Sequence, residues 1–201
     1  MQLKQFLHVG CGSKYKDKTT RGLNSEAWRE VRFDIDTAAK PDIIGSMTDM
    51  SAVKSESMDA IFSSHNIEHV FAHEVPIALS EFRRVLKPEG FAILTCPDLQ
   101  SVSELVARDK LTDSAYMSPA GPITPLDIIY GHRDSIARGQ HYMAHKCGFT
   151  ASVLVASLKT AGFPITASKR RGPPFFDLWA VALKKPVPRS ELKKLASHHF
   201  P

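Results

Sequence analysis

The sequence has no apolar run approaching the about eighteen residues that a membrane-spanning helix needs, so a helical membrane protein is excluded. Nor does it open with the charged and apolar blocks of a signal peptide. Met1-Gln2-Leu3-Lys4 leads straight into a strand-like segment, and a cytoplasmic location is expected. Cysteine is scarce: Cys11, Cys96 and Cys147 are too scattered for a disulfide framework, and an odd number leaves one unpaired, so reduced thiols are expected. A concentrated basic stripe is also missing. The net charge of +5 is spread over short clusters such as Lys14 to Lys18, Lys169-Arg170-Arg171 and the tail. These read as solvated surface, and nucleic acid is not the favoured partner.

What is present suits one globular core. With 201 residues, 43% of them hydrophobic, the chain is expected to form a single domain over residues 1–185, followed by a tail over residues 186–201 that is frayed or a surface helix. Gln5 to Val9 is a short apolar run broken by Gly10-Cys11-Gly12, as in a buried strand entering a tight turn. Glu30 to Asp36 alternates apolar and polar residues and ends in carboxylates, predicting a second strand. Met58 to Ser64 predicts a third. Val75, Ala78, Leu79, Phe82, Val85 and Leu86 then recur at helical spacing, with Pro76 in the first turn.

Lys87-Pro88-Glu89-Gly90 has the residues of a type I turn and leads to a fourth strand, Phe91 to Cys96. Ser101-Val102-Ser103-Glu104 fits a capping box. Between Lys110 and Cys147 periodicity fades, apart from a short helix from Thr124-Pro125 to Gly131, and the stretch 112–147 is expected to be a lid or substrate insertion. Thr150 can cap a helix reaching Gly162, and Pro164 to Ser168 and Phe175 to Leu183 predict two closing strands. This order predicts a Rossmann-like α/β fold: a mostly parallel sheet with helices on both faces and an antiparallel strand near its C-terminal edge. Only five residues separate Asp36 from Asp42, too few for a helical crossover. Asp42 to Gly45 is therefore a strand stub, an antiparallel return or a loop, and this edge of the sheet is abbreviated.

Ligands of open α/β sheets bind beyond the carboxyl ends of the strands, where Gly10-Cys11-Gly12 and Asp34 fall. Glycine there lets a ligand approach the backbone, and a carboxylate can accept hydrogen bonds from ribose hydroxyls. A nicotinamide dinucleotide fingerprint would put a third glycine where Tyr15 stands, which counts against that cofactor.

With these residues the chain resembles the class I S-adenosylmethionine-dependent methyltransferases, in particular small bacterial proteins of the "methyltransferase domain 11" type. The resemblance runs from about Leu3 to Leu183 and rests on Leu7 to Gly12, Phe33 to Asp36, Met58 to Val70 and Glu81 to Gly90. It implies S-adenosyl-L-methionine as cofactor. The backbone of Gly10, Cys11 and Gly12 would face its methionine part, and Asp34 would hold the ribose, with Asp36 in reserve. Ile35, Ser46, Met47 and Ser64 complete the implied cofactor set. Relatives commonly carry an acidic residue where Ser46 stands, and Asp49 or the Met47 amide would take its place. Many relatives also cover the site with N-terminal helices; here the 112–147 segment is the expected cover.

Methyl transfer from a sulfonium is an in-line displacement, so the protein's main contribution is alignment, with a base only where the acceptor must lose a proton. His65, following the third strand, is the first candidate base. Glu68 and His69 share its face if a helical turn begins at His65, and their other reading is a polar face that anchors the lid. His141 and His145 are candidate substrate contacts in the lid. With Cys147 they have zinc-ligand side chains, but their spacing matches no standard structural site and no metal is expected. Phe175, Phe176 and Trp179 read as core or edge packing. The expected acceptor is oxygen or nitrogen of a small molecule or a glycan; the alternatives are an RNA or protein acceptor, or a non-catalytic cofactor-binding or interaction protein.

Overall fold

The computed structural model describes residues 3–201. Five strands form in the first half of the chain: β1 (Lys4–Val9), β2 (Trp28–Asp34), β3 (Ile43–Ile44), β4 (Met58–Ser64) and β5 (Leu86–Pro97). A hairpin of β6 (Tyr116–Ser118) and β7 (Gly121–Ile123) stands apart, and β8 (Ile165–Arg171) and β9 (Asp177–Leu183) close the main sheet. The main sheet has the order β3-β2-β1-β4-β5-β9-β8. The first five strands are parallel, and β9 runs antiparallel between β5 and β8. This is the mostly parallel Rossmann-like sheet expected from the pattern.

Alternation along each strand separates two apolar faces. One face presents Leu7, Val9, Phe33, Ile61, Leu94 and Leu178 to α1 (Val75–Val85) and α5 (Ala151–Thr160). Helix α1 buries Val75, Ala78, Leu79, Phe82 and Val85, the positions whose helical spacing was read from the sequence. The other face presents Phe6, Phe62, Phe91, Ile93 and Val181 to Leu23, Trp28 and the last helix, α6 (Arg189–His199). The tail is thus a covering layer: Leu192, Leu195 and Phe200 pack on the sheet, and buried His199 shares a 2.7 Å hydrogen bond with Thr20.

That second face needs the tail because the first crossovers carry no α-helix. Residues 10–27 join β1 to β2 through one 3-10 turn at Lys16–Lys18, and residues 35–42 join β2 to β3 through another at Thr37–Ala39. Ile43 and Ile44 are a two-residue parallel stub beside Phe33 and Asp34, the first of the three alternatives for this edge. Buried Arg32 takes over the fastening of both loops. Its guanidinium donates to the carbonyls of Gly12 (2.5 Å), Lys14 (3.3 Å), Ala39 (3.0 Å) and Lys40 (2.8 Å). The planar fork suits several convergent carbonyls in a way an ammonium does not.

Three local expectations are corrected. The Lys87 to Gly90 stretch is not a separate turn before a strand; it lies within β5, with a register shift opposite Met58 and Ala60. Helix α2 (Leu99–Val106) is capped not by Ser101 but by Asp98, whose carboxylate accepts from the Gln100 amide. The 112–147 segment is more ordered than its fading periodicity suggested. It contains the β6–β7 hairpin, α3 (Pro125–Tyr130) and α4 (Arg133–Ala137), pieces too short to show a period. Helix α3 has the Thr124 capping box, with Asp127 as its partner.

Candidate active site

The sheet order reverses direction at β1, between β2 and β4, the crevice where open α/β sheets bind ligands. A cavity of about 650 Å³ opens there, within the range of small-molecule sites. Gly10, Cys11, Gly12, Asp34, Ile35, Ser46, Met47 and Ser64 all line it, as do His65 and His69.

Two glycines shape the floor for different reasons. Gly10 has φ +69°, and a Cβ there would lie 2.4–2.6 Å from the side-chain atoms of Asn66. Gly12 has φ +51° with nothing within 4 Å of a Cβ, so its backbone faces open space. Asp34 is buried and holds this turn directly: one carboxylate oxygen accepts from the Gly12 amide at 2.7 Å, the other from Asp36 at 2.8 Å. Each oxygen keeps a lone pair for a ligand hydroxyl. Ile35, 58% exposed, offers an apolar surface beside it. Ser46 bonds Thr48 rather than reaching inward, at 2.7 Å. Asp49 stays out of the cavity wall, its carboxyl held below the ordinary range by Ser51. Burial pushes the Cys11 thiol up to about 11, against the opposing pull of Arg32, which makes it a poor nucleophile.

Also lining the cavity, His65 follows β4 with φ +50°, an uncommon conformation for a residue with a side chain. Its amide donates to Thr95 at 2.9 Å. The helical turn that would put all three on one face does not begin at His65: the turn is a 3-10 one over Ile67–His69. His65 and Glu68 nevertheless meet, with Nδ1 and Oε1 at 3.5 Å. Glu68 is 1% exposed, and neither of its carboxylate oxygens has a close hydrogen-bond partner. Burial alone would raise this carboxyl; the surrounding His65, His69 and His145 side chains bring it below the usual range.

The two lid histidines do not stand where substrate contacts were expected. His141 is exposed and outside the cavity wall, and His145 is drawn behind it to Glu68 and His69. Their neighbours Gln140, Tyr142, Met143 and Lys146 form the wall instead. Without a helical period, nothing in the sequence indicated which residues of this stretch face inward. The C-terminal part of the lid is fastened at two points. The Tyr142 hydroxyl donates to Asp36 at 2.9 Å, and the Lys146 amide donates to the Glu68 carbonyl at 2.8 Å. Sequence reasoning also passed over Arg32, because a charged residue in a strand reads as solvent-facing. Phe176 and Trp179 pack as expected, Phe176 beside α2 and α3 and Trp179 against Phe200. Phe175 is exposed under the Arg171 guanidinium.

Residues 7–94 match the family described as "Methyltransferase domain". No curated protein gives a significant match. Among solved structures the chain is similar to a SAM-dependent methyltransferase of Methanosarcina mazei, with 17% identity, a TM-score of 0.60, and 92% of this chain aligned to 94% of that one. A protein of Pyrococcus horikoshii OT3 aligns with 16% identity and a TM-score of 0.60, covering 92% of this chain and 83% of that one. The citrinin polyketide synthase CMeT domain aligns with 13% identity and a TM-score of 0.58; the chain spans 48% of that structure's length. The methyltransferase-domain match is thus confined to residues 7–94, and the sheet order and the aligned structures give the chain the fold of such domains. No helix among the described residues is long and apolar enough to cross a membrane.

Proposed function

We propose that this chain binds S-adenosyl-L-methionine in the 650 Å³ cavity and transfers its methyl group in line to oxygen or nitrogen of a small-molecule or glycan acceptor. The observation that carries the reading is the convergence of the open Gly12 backbone, the Asp34 carboxylate and exposed Ile35 at the β1–β2 side of that cavity, which His65 also lines. Gly10, Cys11 and Gly12 face the methionine part of the cofactor. Asp34 accepts from the ribose hydroxyls, and Ile35 and the Ser46-Met47 backbone flank the adenine, with Ser64 beneath the cofactor. The Gln140 to Lys146 part of the 112–147 lid excludes water and presents the acceptor.

In the transfer itself an acceptor lone pair forms the bond to the methyl carbon, and the methyl–sulfur electron pair stays on sulfur. Where the acceptor loses a proton, His65 takes it, with Glu68 and His69 orienting and polarising the imidazole. Residues 1–185, with 112–147 as lid, act as one cofactor-binding unit.

The test is calorimetric titration with S-adenosylmethionine, S-adenosylhomocysteine and NAD, for the native chain and Asp34→Ala. Micromolar binding of the first two, no binding of NAD, and loss in the variant are expected. Transfer of labelled methyl to a panel of hydroxyl and amine acceptors then identifies the substrate class. Absence of binding to the native chain would overturn the proposal and favour an interaction protein that keeps the fold.

A further inference from the structure

Beside the cavity, Glu68, His69 and His145 each offer one ligand atom, and these atoms lie within 4.8 Å of one another. Two of the three come from the 3-10 turn after β4 and the third from the lid, brought together by the Lys146 and Cys147 amides that donate to the Glu68 carbonyl. We infer that Glu68, His69 and His145 form a binding site for one divalent transition-metal ion of the zinc type, beside an unligated His65.

Three observations carry this. First, a fully buried carboxylate with neither oxygen in a close hydrogen bond is costly unless a cation completes it. His65 at 3.5 Å is too far to do so as a hydrogen-bond donor.

Second, the imidazoles are set as metal ligands are. His69 Nδ1 donates to the Ala144 carbonyl at 3.1 Å, and His145 Nδ1 donates to the Ile128 carbonyl at 2.8 Å. Each bond fixes the tautomer that leaves a lone pair on Nε2, the arrangement in which backbone carbonyls orient metal-bound histidines.

Third, the donor set is mixed imidazole and carboxylate. That suits zinc or a neighbouring transition ion and is poor for magnesium or calcium, which prefer oxygen. Donors bonded at about 2.0–2.2 Å lie about 3–4 Å apart, so the group closes around an ion with sub-ångström to ångström movements.

His65 and His69 line the cavity, so an ion here has its open position towards the acceptor. Its role in the reaction rests on the proposed methyl transfer. An acceptor hydroxyl held at the ion would lose its proton more readily, because a bound cation stabilises the oxyanion. The proton passes to His65 or to water before oxygen attacks the methyl carbon.

The test uses tag-free full-length protein, stripped with a chelator and titrated with Zn²⁺, Mn²⁺ and Mg²⁺. Metal content is read by elemental analysis, and Co²⁺ serves as a spectroscopic probe of the ligand set. One Zn²⁺ per chain is expected, bound more tightly than Mg²⁺, with a cobalt spectrum of nitrogen and oxygen ligands. Glu68→Gln and His145→Gln should each weaken Zn²⁺ at least ~100-fold, beyond the ~10–100-fold seen when only outer-shell partners of a metal are lost. Cys147→Ser should bind as the native chain does. Circular dichroism checks that each variant folds; if Glu68→Gln does not, His145→Gln decides.

Failure of the native chain to retain an ion, or undiminished binding in His145→Gln, overturns the site. The two proposals fail separately. S-adenosylhomocysteine binding without metal rejects only this one, and metal binding without the cofactor rejects only the methyl transfer.

Discussion

The substitution Gly10→Ala tests whether the floor of the cavity is built as described. At φ +69° a side chain costs about 1–2 kcal/mol of backbone strain. The new methyl would also stand 2.4–2.6 Å from the Asn66 amide group, a distance at which one of them must move. If Asn66 moves, its 3.3 Å bond to Ser63 Oγ is lost, worth about 0.5–1.5 kcal/mol. Together the variant should lose about 2–3 kcal/mol, and at this chain length each kcal/mol lowers Tm by about 2–4 °C.

A double-mutant cycle separates the two causes. In an Asn66→Ala background the overlap is gone, so Gly10→Ala should cost only the strain of about 1–2 kcal/mol. Urea unfolding of the four proteins measures this directly, and calorimetry with S-adenosylhomocysteine follows the same series. Equal cost in both backgrounds would refute the account of Gly10 as a close-approach position, and no cost in either would refute its conformation as well.

Further outcomes follow from the second sheet face and the lid. Burial lowers the His199 pKa to about 4, assisted by the charge of His198, so folding favours the neutral ring. Because the folded value lies below the ordinary 6.5, the unfolded chain binds the extra proton, and stability should fall as pH drops from about 6.5 towards 4. His199→Phe should flatten that part of the stability–pH profile measured by thermal unfolding; an unchanged slope would contradict the assignment. Tyr142→Phe removes the hydroxyl that fastens the lid to Asp36, an exposed contact worth about 1 kcal/mol. It should leave Tm within a few degrees yet raise proteolytic cleavage between residues 130 and 147 and weaken S-adenosylhomocysteine binding by about tenfold or less; unchanged cleavage would count against the tether.

By itself the sequence determined the elements whose signals are local. Periodicity placed α1 and α5, alternation and apolar runs placed the strands of the main sheet other than the β3 stub, and the punctuation of Gly10, Gly12, Thr124, Thr150 and Gly162 placed turns and caps. The motifs from Leu7 to Gly12 and from Met58 to Gly90 were enough for the resemblance to methyltransferases, because a tight turn is encoded by adjacent residues.

Tertiary structure decided everything that depends on distant residues meeting. No local pattern indicates that Arg32 fastens two loops in place of crossover helices, or that the tail covers the face those helices would have covered. The same holds for Asn66 filling the space above Gly10, residues 56 apart. His145 reads as a lid residue in sequence and reaches Glu68 only because two backbone amides dock the lid on the turn after β4. The physical reason is common to all four. Burial, hydrogen-bond satisfaction and close packing are properties of contacts, and a contact between remote residues leaves no periodicity in either of the segments that make it.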